Sequence, residues 1–148
     1  MSTTSTAGPG GSGAGTTAQS HPLLQGAAAG AAVATLVNTA LWAGGRAADV
    51  SFVASPPTGH TSMQVGIVLV VLTTLAMFAV GSGLLALAAR HSHRWVRAVM
   101  VAAALFAVVS VSGPLSAADD TATGVLLAVM HLVTGATFLV TASRISTR

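Results

Sequence analysis

Few side chains in this sequence could do chemistry, and most of them are histidine, aspartate or arginine. The chain of 148 residues has five histidines, three aspartates and no cysteine. The absence of cysteine excludes disulfides and thiolate metal sites. The densest polar group is RHSHRWVR, residues 90–97, which contains three arginines and two histidines. These residue types fit a metal site, a nucleic-acid patch or a membrane anchor.

The spacing of the histidines disfavours a metal site. His91 and His93 are two positions apart, so on a helix their side chains diverge by about 200°. A closed site would also need further ligands, and no carboxylate lies near them in the sequence. Loop residues offer a weak cation site as an alternative: His60, Asp49, Asp119 and Asp120. Because carboxylates at loop ends are usually solvated, we expect neither a metal nor a cofactor.

The composition is that of a membrane protein. Hydrophobic residues make up 53% of the chain and charged residues only 6%, whereas an ordinary soluble domain has about 25% charged residues. Nucleic-acid binding needs a dense basic face that neutralises phosphates. Here the net charge is only +3, and the arginines lie at the ends of apolar segments. We therefore expect the lipid bilayer as a partner and no nucleic acid.

Four apolar segments predict the fold. They cover about residues 23–43, 64–89, 95–112 and 124–142, and each has the length of about 18 or more residues that a helix needs to cross a bilayer. Residues 1–20 are rich in glycine, serine and threonine and are predicted to be disordered. The sequence thus predicts an all-α integral membrane four-helix bundle over residues 21–148, behind a disordered cytoplasmic tail.

Glycine and proline mark the breaks between these segments. Gly44-Gly45 is predicted to end the first helix, Pro56-Pro57 to interrupt the first loop, and Gly113-Pro114 to stop the third helix. The loop from Arg90 to about Arg94 is short. Helices two and three should therefore form a tight antiparallel hairpin.

The arginines predict the orientation of the chain. Basic residues in short loops favour the cytoplasmic side, and one arrangement places five arginines inside against Arg46 outside: Arg90, Arg94, Arg97, Arg144 and Arg148. We therefore expect a multi-pass protein of the bacterial plasma membrane with both termini in the cytoplasm. Trp42 and Trp95 fall where interfacial aromatic anchors occur. RHSHRWVR is interpreted as a topology anchor that contacts anionic lipids.

Polar residues inside the apolar segments suggest a pocket. In this orientation four of them fall in the outer half of the bilayer and could converge: Asn38, Thr73, Ser110 and His131. One interpretation is that they only form hydrogen bonds between helices. The other is a ligand or proton site around His131, because an imidazole can change charge near neutral pH.

Small residues predict where helices approach closely. Gly26 and Gly30 form a G-x-x-x-G pattern in helix one, and Gly124, His131 and Gly135 lie within about 60° of one another on helix four at 100° per residue. Small side chains let helices pack closely in lipid. We therefore expect these faces to point into a helix–helix contact.

Three stretches of the sequence resemble a known family. They are RHSHRWVRAVM, SGPLSAADDTATGVLLAVMHLVTGATFLV and the long first outer loop, and the resemblance covers about residues 23–143. They resemble small actinobacterial four-helix membrane proteins known only as a domain of unknown function. The resemblance implies the four-helix architecture and a plasma-membrane location, and it implies no activity.

Two functional hypotheses follow. The first is a non-catalytic membrane module that assembles with itself or a partner protein through the small-residue faces. The alternative is a small transporter or sensor with the outer-half pocket around His131, although the membrane segments lack the carboxylate on which small proton-coupled exporters rely. A bis-histidine haem protein is a third option, and it would need His131 from two chains. No catalytic motif is present, so we expect no enzyme.

Overall fold

The computed structural model describes residues 20–55 and 61–146, with side chains described over residues 24–55 and 61–144. The predicted disordered tail, apart from Ser20, lies outside the described residues. So do Pro56, Pro57, His60 and Arg148.

Four long helices form the chain's main body, and the all-α prediction is confirmed. In order, the elements are α1 (Ser20–Ala47), β1 (Val53–Ala54), β2 (Met63–Gln64), α2 (Ile67–His91), α3 (His93–Val109), α4 (Ser112–Ala117) and α5 (Thr121–Ser146). Within residues 20–55 and 61–146, four stretches are long and apolar enough to cross a membrane: Leu24–Ala47, Ile67–His91, His93–Ala117 and Thr121–Arg144. The protein is thus a multi-pass membrane protein whose third span contains both α3 and α4.

The first helix continues past the glycine pair that was predicted to end it. Gly45 is buried, and a Cβ atom at this position would lie 2.6 Å from the Phe52 ring and 2.7 Å from Leu126. The glycine therefore lets the loop and α5 approach the last turns of α1. The prediction that Gly44-Gly45 ends the helix is wrong, because close packing explains the glycine.

The first helix of the third span ends earlier than predicted. Helix α3 ends at Val109, and Gly113 and Pro114 lie in the first turn of α4. Proline is tolerated there because the first N–H groups of a helix have no partner within it. Gly113-Pro114 therefore begins a short helix, and because α3 ends before this pair, the prediction that the pair stops the third helix is wrong.

The hairpin between α2 and α3 is even tighter than predicted. Ser92 alone separates the two helices, with an extended backbone. The arginines and histidines of RHSHRWVR therefore lie on the ends of α2 and α3 and not in a loop.

Helices α1 and α5 pack antiparallel at the centre. Gly30 lies next to Thr141, and Gly45 lies next to Leu126. A core of buried apolar side chains joins α1, α2 and α5 on the hairpin side of the bundle: Ala34, Phe78, Leu85, Phe138 and Ala142. Phe78 and Phe138 meet edge to face at 5.9 Å between ring centroids, a favourable aromatic geometry.

A folded cap covers the end of the bundle opposite the hairpin. We define the cap as residues 48–55, 61–66 and 110–120. Strands β1 and β2 pair antiparallel within it, and Ala54 forms a bridge with Ala118. Phe52 is fully buried with φ of 52°, in the left-handed region that non-glycine residues seldom adopt. Phe52 packs with Val70 and Met130, which attaches the cap to α2 and α5.

Candidate functional site

Asn38 connects three helices near the middle of the bundle. Its side chain is 2% exposed. Its Nδ2 group donates to Thr74 Oγ1 on α2 at 3.0 Å and to Thr134 Oγ1 on α5 at 2.9 Å. Each N–H of the amide thus has an acceptor, as buried polar groups require. This is a hydrogen-bonded contact between α1, α2 and α5.

The hydroxyl groups determine which way the Asn38 amide points. Thr74 Oγ1 donates to Val70 O at 2.7 Å, and Thr134 Oγ1 donates to Met130 O at 2.8 Å. Each hydroxyl has one proton, so both oxygens can only accept from Asn38. The reversed amide would face two acceptors with its own carbonyl oxygen. The assigned orientation is therefore the favourable one.

One consequence is a buried oxygen without a partner. Among the described residues, Asn38 Oδ1 has no hydrogen-bond partner, and neither has Thr35 Oγ1 one turn earlier on α1. Leaving a buried acceptor unpaired costs about 1–3 kcal/mol. Buried polar atoms without a hydrogen-bond partner are rare in folded proteins, and each one needs an explanation.

A cavity of about 600 Å³ lies beside this group. It is lined by α2, α3 and α5 together with Asn38 of α1. Most of the lining is apolar, and Val70, Phe78 and Met130 contribute buried side chains. This volume is within the range of about 300–1,000 Å³ of sites that bind small molecules.

All four residues that the sequence predicts in a polar pocket line this one cavity: Asn38, Thr73, Ser110 and His131. Asn38 alone among them bonds to other helices. The other three bond to backbone carbonyls three or four residues earlier in the chain, at distances from 2.7 to 3.0 Å. The structure brings the four together, and a functional role for them stays a prediction.

His131 is more exposed than its position on a helix face of small residues suggests. Gly124 and Ala128 of that face are buried, whereas His131 is exposed. Its Nδ1 atom lies 2.7 Å from Leu127 O. A carbonyl oxygen only accepts, so Nδ1 carries the proton. The predicted inward-facing histidine is therefore placed at the margin of the bundle interior.

The sequence analysis did not place Thr74 and Thr134 in the pocket, although both line the cavity. Thr73 was chosen on α2, yet Thr73 is exposed and Thr74 is 4% exposed. The buried positions of α2 include Val70, Thr74 and Phe78, which are four residues apart. Because positions i and i+4 share one helix face, these residues form the inward face of α2, which the packing against the other helices selects.

The glycines predicted for helix packing have neighbours inside the chain. A Cβ atom at Gly30 would meet Thr141 and Phe78, and one at Gly124 would lie 3.3 Å from Ala118. At Gly135 it would clash with the Ala107 side chain of α3. Gly26 is half-buried on α1.

The predicted anchors lie at the two ends of the bundle. Four arginines are exposed at the end that carries the hairpin: Arg90, Arg94, Arg97 and Arg144. Trp95 lies at the same end and is 60% exposed. Trp42 lies at the cap, where its Nε1–H donates to Val65 O at 2.9 Å. Each tryptophan thus lies near the end of a span.

The acidic residues of the cap have structural partners that the sequence did not indicate. Asp120 precedes α5 and accepts from Ser51 Oγ at 2.6 Å, from Thr123 N at 2.8 Å and from Thr123 Oγ1 at 2.7 Å. The hydrogen bond from Ser51, followed by those from Thr123, lowers the pKa of Asp120 from 3.8 to about 2. A side chain of this kind caps the helix N-terminus. Asp120 therefore holds the cap against α5.

A comparison with known protein families gives a match over most of the chain. A family of unknown function, DUF6069, matches residues 18–148, which include every helix and strand of the structure. No curated protein and no solved structure matches the chain. The resemblance to a family of unknown function is confirmed, and an actinobacterial origin stays a prediction. Because the match covers far more than half of its length, the chain belongs to the family of unknown function DUF6069.

Proposed function

We propose that this chain is a non-catalytic protein of the bacterial plasma membrane that binds a small, mainly apolar molecule in the cavity between α2, α3 and α5. The observation that carries the proposal is the cavity itself, which has apolar walls and a buried, hydrogen-bonded asparagine with a free acceptor. Apolar pockets with a few converging polar groups are typical ligand sites. This is the sensor or transporter alternative of the sequence analysis, with Asn38 at its centre.

The small-residue faces support this proposal over assembly between chains. Gly30 and Gly135 were the glycines expected to mediate association. Within the chain Gly30 packs against α2 and α5, and Gly135 packs against α3. A second chain would need other surfaces, so assembly through these faces loses its supporting observation.

The cavity has a lateral path to lipid. Its lining includes Val80, which is 62% exposed, and Phe106, which is 56% exposed. These residues belong to α2 and α3, and only 6% of the most hydrophobic part of the third span is buried. A hydrophobic molecule could therefore enter from the bilayer between α2 and α3 without crossing water.

The orientation proposed for the chain places both termini in the cytoplasm. Its support is the set of exposed arginines at the hairpin end, because basic residues favour the cytoplasmic side. In this orientation the cap faces outward. The cavity then reaches from Val65 and Ser110 of the cap, on the outer side, to Leu84 and Val99 in the inner half of the bilayer.

Photo-crosslinking tests the binding function. The protein in lipid nanodiscs is irradiated with a diazirine-bearing long-chain hydrocarbon or with the corresponding diazirine-bearing alcohol, and the labelled peptides are mapped by mass spectrometry. We expect labelling of cavity-lining positions that excess unlabelled compound competes away.

Two substitutions on α3 serve as a matched pair. Ala103→Phe fills the cavity and should abolish the competed labelling, since Ala103 lines it. Ala98→Phe should leave the labelling unchanged, because Ala98 is exposed and does not line the cavity. Labelling that is spread evenly over the lipid-facing surface for both probes, with no competition, would overturn the proposed function.

A further inference from the structure

Contacts between the helices show which cavity-lining residues lie at the same depth. Helices α2 and α5 both run from the cap toward the hairpin end. The rings of Phe78 and Phe138 meet, and Thr74 and Thr134 bond to the same Asn38 amide. Both pairs have the same separation in sequence, so residues of α2 and α5 with this separation lie at the same level.

The polar side chains of the lining lie within about one helix turn of one another. Ala107 of α3 packs against Gly135, the residue after Thr134. His131 lies nearer the cap than Thr134, and Ser110 lies nearer the cap than Ala107, by three residues or about 4.5 Å in each case. We define this group as the polar belt: Asn38, Thr73, Thr74, Ser110, His131 and Thr134.

Three members of the polar belt are available to a bound molecule. Asn38 and Thr74 are buried and bond to each other. Thr73 and His131 are exposed, and Ser110 is half-buried. Each of these three bonds to a backbone carbonyl and keeps a further hydrogen-bonding position, on the hydroxyl oxygen or on the second ring nitrogen.

Below the polar belt, toward the hairpin, the lining in the described part of the chain is apolar. It extends from Met77 to Leu84 on α2 and from Phe106 to Val99 on α3. From Thr74 to Leu84 a helix rises about 15 Å, which is half of the roughly 30 Å of bilayer hydrocarbon. This apolar part therefore has the length of one hydrocarbon chain in one leaflet.

Above the polar belt, toward the cap, the lining is apolar again. Val70 and Met130 line it there and pack with Phe52 of the cap. In the described part of the chain, no residue that lines the cavity carries a fixed charge. A charged head group would lose its hydration without an opposite charge, and a large polar one would be buried among apolar side chains. The polar end of a molecule that fits this cavity is therefore small and uncharged.

We propose that the cavity binds an uncharged lipid-like molecule with one hydrocarbon chain, with its small polar group at the polar belt and its chain directed toward the hairpin. The inference rests on the proposed binding function and adds the class of the ligand and its direction. In the orientation proposed for the protein, this is the direction of a lipid in the outer leaflet. The molecule can then enter between α2 and α3 without turning over.

Two photoreactive dodecanols test the direction of binding. One carries the diazirine beside the hydroxyl group, and the other carries it at the far end of the chain. Each is irradiated with the full protein in lipid nanodiscs, and the labels that excess unlabelled dodecanol removes are mapped by mass spectrometry. We expect the first probe to label residues of the polar belt and the second to label the hairpin side of the cavity, around Leu84 and Val99.

A belt variant tests the site of the polar group. In it the three available side chains become apolar: Thr73→Val, Ser110→Ala and His131→Leu. The control variant carries the same exchanges at positions outside the cavity lining: His93→Leu, Ser112→Ala and Thr137→Val. At equal concentration in the bilayer, dodecanol should compete about threefold to tenfold better than dodecane, which is the value of one hydrogen bond in such a site. This preference should disappear in the belt variant and persist in the control variant.

The outcomes separate this inference from the proposed function. If the two dodecanols label the same residues, or label them in the reverse order, the direction is overturned and the binding function stands. If the preference for dodecanol survives in the belt variant, the polar group binds elsewhere and the inference is wrong. The direction test uses the unsubstituted protein, so it does not depend on the folding of the belt variant. If no probe gives competed labelling of the cavity, the binding function fails and the inference fails with it.

Discussion

Replacing Asn38 with leucine tests whether this residue is held for binding at the expense of stability. Leucine has the same branching at Cγ as asparagine, and the neighbouring cavity leaves room for its methyl groups. The change removes the two hydrogen bonds to Thr74 and Thr134. It also removes the buried Oδ1 atom that lacks a partner. The two effects on the free energy of unfolding have opposite signs.

Their magnitudes can be compared. Hydrogen bonds between membrane helices average about 0.6 kcal/mol each, so losing two costs about 1.2 kcal/mol. Removing an unpaired buried acceptor returns about 1–3 kcal/mol. The threonine hydroxyls keep their donation to Val70 O and Met130 O. We therefore expect Asn38→Leu to be as stable as the unsubstituted chain or more stable by up to about 2 kcal/mol.

Thr134→Val is the matched control. It leaves one N–H of Asn38 buried without an acceptor, so it should destabilise the chain by about 1–3 kcal/mol. Both variants can be unfolded reversibly in mixed micelles by a denaturing detergent. The fluorescence of Trp42, which packs 6.1 Å from Phe52 between ring centroids, reports the loss of the cap. If Asn38→Leu loses about 2 kcal/mol or more, the Oδ1 atom has a partner in the unliganded protein and the reasoning is refuted.

Three further predictions concern packing, pH and orientation. Gly135→Leu should separate α3 from α5 and destabilise the chain by about 1–3 kcal/mol. Gly83→Ala is the control, because Gly83 has open space around it and the substitution should not destabilise the chain. Unfolding in a denaturing detergent measures both variants, and equal stability would contradict the packing of Gly135 against α3. Because the pKa of Asp120 is lowered from 3.8 to about 2, its contribution to stability is full above about pH 5 and is lost as pH falls toward 2. In Asp120→Asn the melting temperature should therefore fall less between pH 5 and pH 2 than in the unsubstituted chain. An unchanged fall would argue against the hydrogen bonds to this carboxylate. Since the chain has no cysteine, an impermeant maleimide should label Ser62→Cys in intact cells and Ser92→Cys only after lysis, and the reverse result would invert the proposed orientation.

The membrane-spanning helices and their number follow from the sequence. Long apolar segments need no tertiary information to be recognised, because the bilayer requires each span to satisfy its own backbone hydrogen bonds. The convergence of Asn38, Thr73, Ser110 and His131 on one cavity also agrees with a pocket placed by counting residues along antiparallel helices. The depth of a residue in the membrane depends mainly on its position along its helix, so the sequence alone predicts it well.

The rotation of each helix and the arrangement of the cap depended on the tertiary structure. The positions of polar residues in the sequence do not distinguish Thr73 from Thr74. Only the packing of α2 against α1 decides that Thr74 meets Asn38. In the same way, Gly45 suggests a helix end in the sequence, whereas the structure shows that it allows Phe52 to pack closely against α1. Apolar residues surround each span, so hydrophobicity does not select the face that turns inward. Contacts between distant segments select it, and these same contacts leave the Asn38 oxygen without a partner.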